Sequence, residues 1–376
     1  MVFSMTKYIY QDPDWAAFTW DNSEITSLLA AVRHRQGRLL GNMEALGFNL
    51  RSEALLTSLT LNVIKSSEIE GELLNAEQVR SSIARRLGMD IAGLIASDRN
   101  IDGVVEMMLD ATQKFNEQLT EERLFGWHSS LFPSGRSGMY KIKVGEWRDD
   151  SKGGMQVISG EYGKEKIHFE APAANTLRTE IAKFLDWFNG KNMLDPVLKA
   201  AIAHLWFITI HPFDDGNGRI ARAIADMMLA RADESAQRFY SMSAQIQKER
   251  NQYYDILEST QKATLDISNW MSWFLECLNR SLDATEILLS RVLAKAKFWD
   301  YAADIAFNDR QKTMINKLLD NFEGKLTTAK WAKITKCSHD TAIRDIQYLI
   351  DKLILTKEDA GGRSTSYCLI TSTDSK

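Results

Sequence analysis

One run of twelve residues holds most of the side chains that phosphate chemistry requires. It reads His211-Pro212-Phe213-Asp214-Asp215-Gly216-Asn217-Gly218-Arg219-Ile220-Ala221-Arg222. Two glycines, Gly216 and Gly218, let successive backbone N–H groups point to one place without a Cβ in the way. Residues 219–231 are predicted to form a helix whose N-terminus faces the same place. We expect a polyphosphate to bind at this turn.

The charged residues of the run suit the same ligand. Arg219 and Arg222 are three residues apart on one helical face, so both guanidinium groups could reach phosphate oxygens. Asp215 adds negative charge where phosphates should bind, which is reasonable if it holds a divalent cation such as Mg2+. His211 precedes the turn and is placed to take a proton from an incoming nucleophile.

Other interpretations of the run are less consistent with its context. Residues 216–221 fit the dinucleotide-binding pattern Gly-x-Gly-x-x-Ala, with Glu234 near the expected acidic position. That pattern needs a buried strand leading into the first glycine, whereas residues 197–210 have the apolar spacing of a helix. A Walker A loop is excluded because no Gly-Lys-Ser/Thr follows the glycines. A histidine that only ends a helix before proline remains the simple alternative for His211.

The run resembles the signature of the Fic family, His-x-Phe-x-Asp/Glu-Gly-Asn-Gly-Arg-x-x-Arg. It matches at His211, Phe213, Asp215, Gly216, Asn217, Gly218, Arg219 and Arg222. The resemblance implies transfer of a nucleoside monophosphate, usually AMP from ATP, to a Ser, Thr or Tyr hydroxyl of a target protein. Pyrophosphate is then the leaving group.

The same resemblance assigns roles to these residues. His211 is the expected general base, and Asp215 the expected Mg2+ ligand. Arg219 and Arg222 are the expected phosphate clamp, and Phe213 the buried anchor. The anion hole is expected from Gly216, Asn217 and Gly218.

A second motif lies upstream, in the residues 66–71, Ser-Ser-Glu-Ile-Glu-Gly. It resembles the inhibitory pattern of the Fic family, Ser/Thr-x-x-x-Glu-Gly/Asn, in the class whose inhibitory helix is N-terminal. Ser66 and Glu70 are four residues apart and share a helical face. The resemblance implies that Glu70 pairs with Arg222 and keeps it from the γ-phosphate. The alternative is that Gly71 only ends a helix.

Residues 144–172 are predicted to form a hairpin, because glycines bound two short β-like runs. An exposed hairpin edge can capture an extended peptide. The segment resembles the Fic flap, which aligns the target and touches the nucleotide. The expected contacts are Gln156 for the target and Val157, Ile158 and Ser159 for the nucleotide.

Residues 250–257 resemble the helix of the Fic family that borders the adenine. Tyr253 and Gln261 are the candidate adenine contacts, although paired tyrosines on a helix are often core residues.

Composition limits the class of protein. The chain has 376 residues, 44% of them apolar, three cysteines and a net charge of −4. It is long enough for two or three cores, and no apolar run reaches the roughly 20 residues of a membrane span. The isolated cysteines and the lack of a signal peptide favour a cytoplasmic protein. Few prolines and long stretches with helical periodicity predict a mainly α fold.

The predicted architecture is a Fic-type helical bundle with a β-hairpin flap, followed by a C-terminal winged helix. The expected domains are 1–100, a helical module with the inhibitory helix, 101–300, the catalytic domain, and 309–376, the winged helix. Ser338 is the predicted N-cap of the recognition helix, with Thr341 and Arg344 on its docking face. DNA and protein are equally expected partners there, and a homodimer is a further expectation.

These observations predict an autoinhibited protein adenylyltransferase that uses ATP and Mg2+. One alternative keeps the site and reverses the chemistry, with Glu70 orienting a water that removes AMP from a modified protein. Another is a DNA-binding regulator whose Fic core senses a nucleotide.

Overall fold

The chain forms two compact units, residues 1–286 and residues 287–376. A computed structural model describes residues 8–46, 48–89, 93–151, 153–160, 163–191, 193–319, 322, 324–358 and 365–370. The boundary falls inside one long helix rather than in a linker, upstream of the residue 309 at which the winged helix was expected to begin. Within the described residues, no helix is both long and apolar enough to cross a membrane.

The first unit is mainly helical. In chain order its helices are α1 (Asn22–Glu44), α2 (Phe48–Ile69), α3 (Ala76–Arg86), α4 (Arg99–Gln113), α5 (Glu121–Leu131), α6 (Leu177–Asn189), α7 (Pro196–Ile210), α8 (Asn217–Asp233), α9 (Met242–Lys248), α10 (Arg250–Gln261) and α11 (Ser268–Tyr301), which continues into the second unit. Its strands are β1 (Arg136–Ser137), β2 (Tyr140–Lys141), β3 (Gln156–Ser159) and β4 (Lys166–Glu170). Short 3₁₀ turns span Ile9–Gln11 and Ala174–Thr176.

The centre of the first unit is the helix pair α7 and α8. Every residue of α7 from Val197 to Ile210 is buried, which explains why this helix is mainly apolar, with Lys199, His204 and Thr209 as its polar residues. Pro196 occupies its first turn, and the Asp195 carboxylate accepts a hydrogen bond from the Val197 N–H at 2.8 Å. Helix α7 packs along α8 and delivers His211 to the turn between them.

Two hairpins lie beside this helix pair. The predicted hairpin forms from β3 and β4, which pair antiparallel with an irregularity between Val157 and Ile158. Phe169 of β4 is buried edge-on against Tyr8, with 5.2 Å between ring centroids. This contact fastens the hairpin to the N-terminal segment. The small hairpin of β1 and β2 was not predicted, because strands of two residues carry too little pattern.

The second unit has the order of elements expected of a winged helix. After α12 (Asp309–Leu319) come β5 (Leu326–Thr327), α13 (Thr328–Thr335), α14 (His339–Asp351), β6 (Leu355–Lys357) and β7 (Ser366–Leu369). The strands form one sheet in the order β5-β7-β6. Ser338 caps α14 as predicted, since its hydroxyl accepts a hydrogen bond from the Thr341 N–H at 3.2 Å. The sequence also predicts a turn at Gly361 and Gly362, and these two glycines lie outside the described residues.

Helices α4 and α5 approach so closely that a glycine is required between them. A Cβ at Gly103 would overlap the carbonyl oxygen of Ser130. We expect Gly103→Ala to lower the free energy of unfolding by roughly 1–3 kcal/mol, because the two helices would have to move apart. Urea denaturation measures this change.

The control for this prediction is Gly37→Ala on the exposed face of α1, where a Cβ would meet nothing within 4 Å. Alanine should stabilise that helix by roughly 0.5–1 kcal/mol. Equal effects of the two substitutions would show that the α4–α5 approach is not tight.

Candidate active site

The turn between α7 and α8 is closed by hydrogen bonds and aromatic packing. The Asn217 side chain accepts from the Phe213 N–H at 3.0 Å and donates to the Phe213 carbonyl at 2.8 Å. The Phe213 ring is fully buried and stacks on His128, with 4.1 Å between ring centroids. Phe213 is therefore a buried anchor, and the Asn217 side chain is occupied in holding the turn. Helix α8 begins at Asn217, two residues earlier than the sequence predicted.

His211 is held in an orientation that leaves one ring nitrogen available. It ends α7 with a left-handed backbone, φ 51°, and its Nδ1 lies 3.2 Å from the Ile208 carbonyl oxygen. Because a carbonyl only accepts hydrogen bonds, Nδ1 carries the proton and Nε2 carries the free lone pair. Burial lowers the pKa of His211 to about 4, so the ring is neutral at pH 7.

Arg148 holds the backbone of His211 through a hydrogen bond. Its side chain is 1% exposed, and its Nε donates to the His211 carbonyl at 2.8 Å. The same guanidinium donates to the Pro172 carbonyl at 2.5 Å and pairs with Asp150 at 3.1 Å. Sequence reasoning did not identify Arg148 as a residue of the site. Its position in a glycine-rich, non-helical segment gave no sign that it would contact a residue 63 positions away.

Asp215 lies in the cleft with both carboxylate oxygens hydrogen-bonded. Oδ1 accepts from the Gly216 N–H at 2.6 Å, and Oδ2 accepts from the Ser137 hydroxyl on β1. The described residues contain no group of three or more His, Cys, Asp or Glu side chains that could hold a metal ion. A single carboxylate still suits Mg2+, which is commonly held by one or two carboxylates and completed by substrate phosphates and water.

The N-terminus of α8 carries a carboxylate where an anion is expected. Gly216 has φ 80°, a conformation that glycine adopts readily. A Cβ at Gly218 would clash with the Oε1 of Glu70, which shows how close this carboxylate lies to the first turn of α8. Free N–H groups and the helix dipole favour negative charge at this position. Glu70 therefore occupies the place at which the sequence predicted a polyphosphate.

Both arginines of the run pair with carboxylates that follow α2. Arg222 Nη2 lies 2.8 Å from Glu70 Oε1, and the Arg222 side chain is 2% exposed. Ser66 also holds Arg222, because its hydroxyl accepts from Nε at 3.0 Å and its carbonyl from Nη2 at 2.8 Å. Arg219 Nη1 lies 2.7 Å from Glu72 Oε2. The pair of Glu70 with Arg222 is the contact that the sequence predicted, whereas the contacts of Ser66 with Arg222 and of Glu72 with Arg219 were not foreseen.

A cleft of about 610 Å³ opens in front of these groups. It brings together the following predicted residues: Glu70, Gln156, Val157, Ile158, Ser159, His211, Asp215, Gly216, Asn217, Gly218, Tyr253 and Gln261. Arg219, Arg222 and Ser66 are not among its lining residues, and the two arginines pair with Glu72 and Glu70. Thr341 and Arg344 belong to the second unit and do not line the cleft.

The end of the cleft away from the α8 turn is formed by α10 and the β3–β4 hairpin. Tyr253 is buried, and its hydroxyl lies 3.1 Å from Nε2 of His204. The Gln261 amide donates to the Thr209 hydroxyl at 3.2 Å. Both side chains thus line the cleft and also bond to core residues. The structure therefore agrees with both interpretations of the sequence, a place beside the nucleotide and a place in the core.

A chain of polar side chains joins the hairpin to α10. The Ser159 hydroxyl lies 2.6 Å from His168 Nε2, and His168 Nδ1 lies 2.5 Å from Glu258 Oε2. This connection was not foreseen, because Glu258 is 90 residues from His168. It fixes Ser159, a predicted nucleotide contact, against the helix across the cleft.

Two family models match the chain. Residues 118–229 match the model of the Fic/DOC family, and residues 8–89 match that of a domain of unknown function, DUF4172. The expected family resemblance is confirmed for the central part of the chain. The second match covers most of the predicted N-terminal module, although it does not test where that module ends.

Curated relatives match over 59% of the chain. Similar proteins include the protein adenylyltransferase Fic of the mosquito Culex quinquefasciatus, 26% identical over 229 residues, and that of the sea anemone Nematostella vectensis, 33% identical over 227 residues. The chain spans only 40% and 48% of the lengths of these two relatives.

A solved structure resembles nearly the whole chain. It is a Fic family protein from Desulfovibrio desulfuricans G20, with a TM-score of 0.54, 20% identity and coverage of 93% of this chain and 97% of that one. At this identity the likeness concerns the fold alone, and it agrees with the predicted mainly α architecture.

We expect the His211 ring to titrate at about pH 4 rather than near its ordinary pKa of 6.5. Burial disfavours the charged ring, whereas the nearby charge of Glu70 raises the pKa, so Glu70→Gln should lower the midpoint further. Because the unfolded chain binds this proton first, the stability contributed by the neutral ring is lost as the pH falls from about 6.5 toward about 4. Histidine NMR resonances, with His211→Ala for assignment, measure the midpoint. A value near 6.5 would contradict the burial argument.

Proposed function

Since residues 118–229 match the model of the Fic/DOC family, we propose that this chain transfers AMP from ATP to a hydroxyl of a target protein. The observation that carries the proposal is the arrangement in one cleft of a neutral histidine, a glycine turn at a helix N-terminus and a carboxylate suited to Mg2+. Protein adenylyltransferases among the relatives support the same reaction.

His211 acts in this proposal as the general base. Its Nε2 takes the proton of a Ser, Thr or Tyr hydroxyl as the oxygen attacks the α-phosphorus of ATP. A bond forms between that oxygen and phosphorus, the bond from the α-phosphorus to the bridging oxygen breaks, and pyrophosphate leaves. A histidine with a pKa of about 4 is free to accept a proton at pH 7. Arg148 holds the base in place through the His211 carbonyl.

The phosphates are placed at the N-terminus of α8. The N–H groups of Gly216, Asn217 and Gly218 meet the charge that develops on the phosphoryl oxygens. Asp215 would hold Mg2+, whose charge offsets that of the phosphates. Arg219 and Arg222 complete the clamp once their carboxylate partners release them. The adenine of ATP then lies between the hairpin and α10, near Ile158, Tyr253 and Gln261.

Glu70 inhibits the reaction in this proposal. Its carboxylate lies over the first turn of α8 and pairs with Arg222, so it occupies both the anion position and the clamp. A triphosphate that enters the cleft has to adopt another pose. The Ser66 contacts hold Arg222 in this arrangement.

The second unit is proposed to dock a protein rather than DNA. The exposed residues of α14 are His339, Asp340, Ile343, Arg344, Gln347 and Asp351. Asp340 and Asp351 outweigh Arg344 in charge, whereas a DNA-binding helix usually carries excess positive charge.

We expect His211→Ala to lower AMP transfer by about 10²–10⁴-fold, because the hydroxyl loses its base. Nucleotide binding should be retained, since the phosphate-binding groups are unchanged. Transfer of label from α-labelled ATP to protein, with mass spectrometry to detect a bound AMP, measures the reaction. His34→Ala, an exposed histidine on α1, is the matched control. Unchanged turnover in the His211 variant would remove the catalytic assignment.

We expect Glu70→Gly to raise AMP transfer, because Arg222 is released and the anion position is vacated. Folding should be weakened, because glycine leaves the buried Arg222 without its carboxylate partner, although the hydrogen bonds from Arg222 to Ser66 remain. Arg222→Ala also breaks the pair, but it should lower transfer, and the double variant should lose the gain.

The direction of the Glu70 effect separates the forward from the reverse reaction. A Glu70→Gly protein that transfers less AMP, or that mainly fails to remove AMP from a modified target, would contradict the inhibitory role. Glu70 would then be the better candidate for orienting a hydrolytic water.

A further inference from the structure

The turn after α2 delivers two carboxylates to α8. The N–H groups of Glu70 and Glu72 both donate to the Ser67 carbonyl, at 3.0 and 3.1 Å. Gly71, with φ 84°, allows this tight turn. Glu70 and Glu72 are separated by one residue, yet both reach arginines on α8.

Arg219 depends on Glu72 for its pairing. Its side chain is 7% exposed, and its guanidinium carbon lies 5.1 Å from the centroid of the Phe132 ring. Nη1 pairs with Glu72, whereas Nε is buried without a hydrogen-bond partner among the described groups. A guanidinium that has lost most of its water gains strongly from any anion in reach. In this structure that anion is Glu72.

We propose that Glu72 is a second carboxylate that competes with the polyphosphate for the clamp. It neutralises Arg219 as Glu70 neutralises Arg222, so a triphosphate has to displace both carboxylates to engage both arginines. The inference rests on the proposed phosphate position at α8. It adds to that proposal a residue outside the inhibitory motif, together with a measurable contribution to nucleotide affinity.

The two carboxylates differ in how they compete. Glu70 lies over the α8 N-terminus itself, whereas Glu72 pairs with Arg219 and does not line the cleft. The Glu72 side chain is 39% exposed, so solvent and salt screen its pair with Arg219. The effect of Glu72 is therefore smaller than that of Glu70, and it weakens as the ionic strength rises.

Calorimetric titration with ATP, tripolyphosphate and adenosine tests the inference. Glu72→Gln keeps the shape of the side chain and removes its charge. We expect it to tighten the binding of ATP and tripolyphosphate roughly three- to tenfold at low salt and less at high salt. Adenosine, which has no phosphate, should bind as it does to the unaltered protein. The combination with Glu70→Gln should exceed either change alone.

Glu68→Gln is the matched control. Glu68 lies in the last turn of α2 and has the same charge, but it pairs with Lys65 and accepts from Gln247 at 3.2 Å. Its loss should leave phosphate binding unchanged, so equal tightening in this variant would mean a general charge effect and would overturn the inference. Unchanged or weaker phosphate binding in Glu72→Gln would also overturn it, and weaker binding would indicate that Glu72 positions Arg219 for the phosphates.

The inference and the proposed function can fail separately. If Glu72→Gln tightens polyphosphate binding and no variant transfers AMP, the competition stands and the transferase proposal fails. If AMP transfer is observed and Glu72→Gln leaves both transfer and phosphate binding unchanged, the transferase proposal stands and the role of Glu72 fails.

Discussion

A guanidinium that is removed from water has to be hydrogen-bonded, and the burial of Arg222 imposes this condition on the first unit. Its partners are the side chain and carbonyl of Ser66 and the carboxylate of Glu70. They lie at the end of α2, more than 150 residues upstream. Helix α2 must therefore pack on α8, because the buried positive charge of Arg222 would otherwise lack its hydrogen-bond partners.

A second polar contact one turn away keeps α2 in register with α8. The Asn62 amide donates to Asp226 Oδ2 at 2.8 Å, and Asp226 also pairs with the buried Arg238 at 3.0 Å. Asn62 precedes Ser66 by four residues, whereas Asp226 follows Arg222 by four, so the helices run antiparallel where they touch. Burial raises the pKa of Asp226, whereas the Arg238 charge and the Asn62 hydrogen bond lower it. The segment that carries Asn62 and Ser66 is thus part of the core rather than an appendage.

Features with local causes could be predicted from the sequence, and those that depend on the fold could not. The glycines at 216 and 218, the mainly apolar helix α7 and the Ser338 cap each follow from neighbouring residues. Arg148, Glu72 and Glu258 act on residues 63, 147 and 90 positions away, and nothing near them in sequence indicates the partner. Glu70 was predictable only because a motif linked it to Arg222. Without that motif it would have been one of many exposed glutamates.

Carboxylates and phosphates are both anions that bind N–H donors and cations. In the proposed function, this similarity connects the stability of the first unit to the inhibition by Glu70. The first turn of α8 and the two arginines together form a concentrated positive site, which would be costly to leave empty in a desolvated position. Glu70 and Glu72 supply the compensating charge in this structure. A carboxylate that compensates the positive charge in this way also opposes a polyphosphate, because both bind the same guanidinium groups. In the proposed function, inhibition is then a consequence of how the protein compensates the charge of its own binding site, and relief of inhibition requires another anion or a lower stability of the α2–α8 contact.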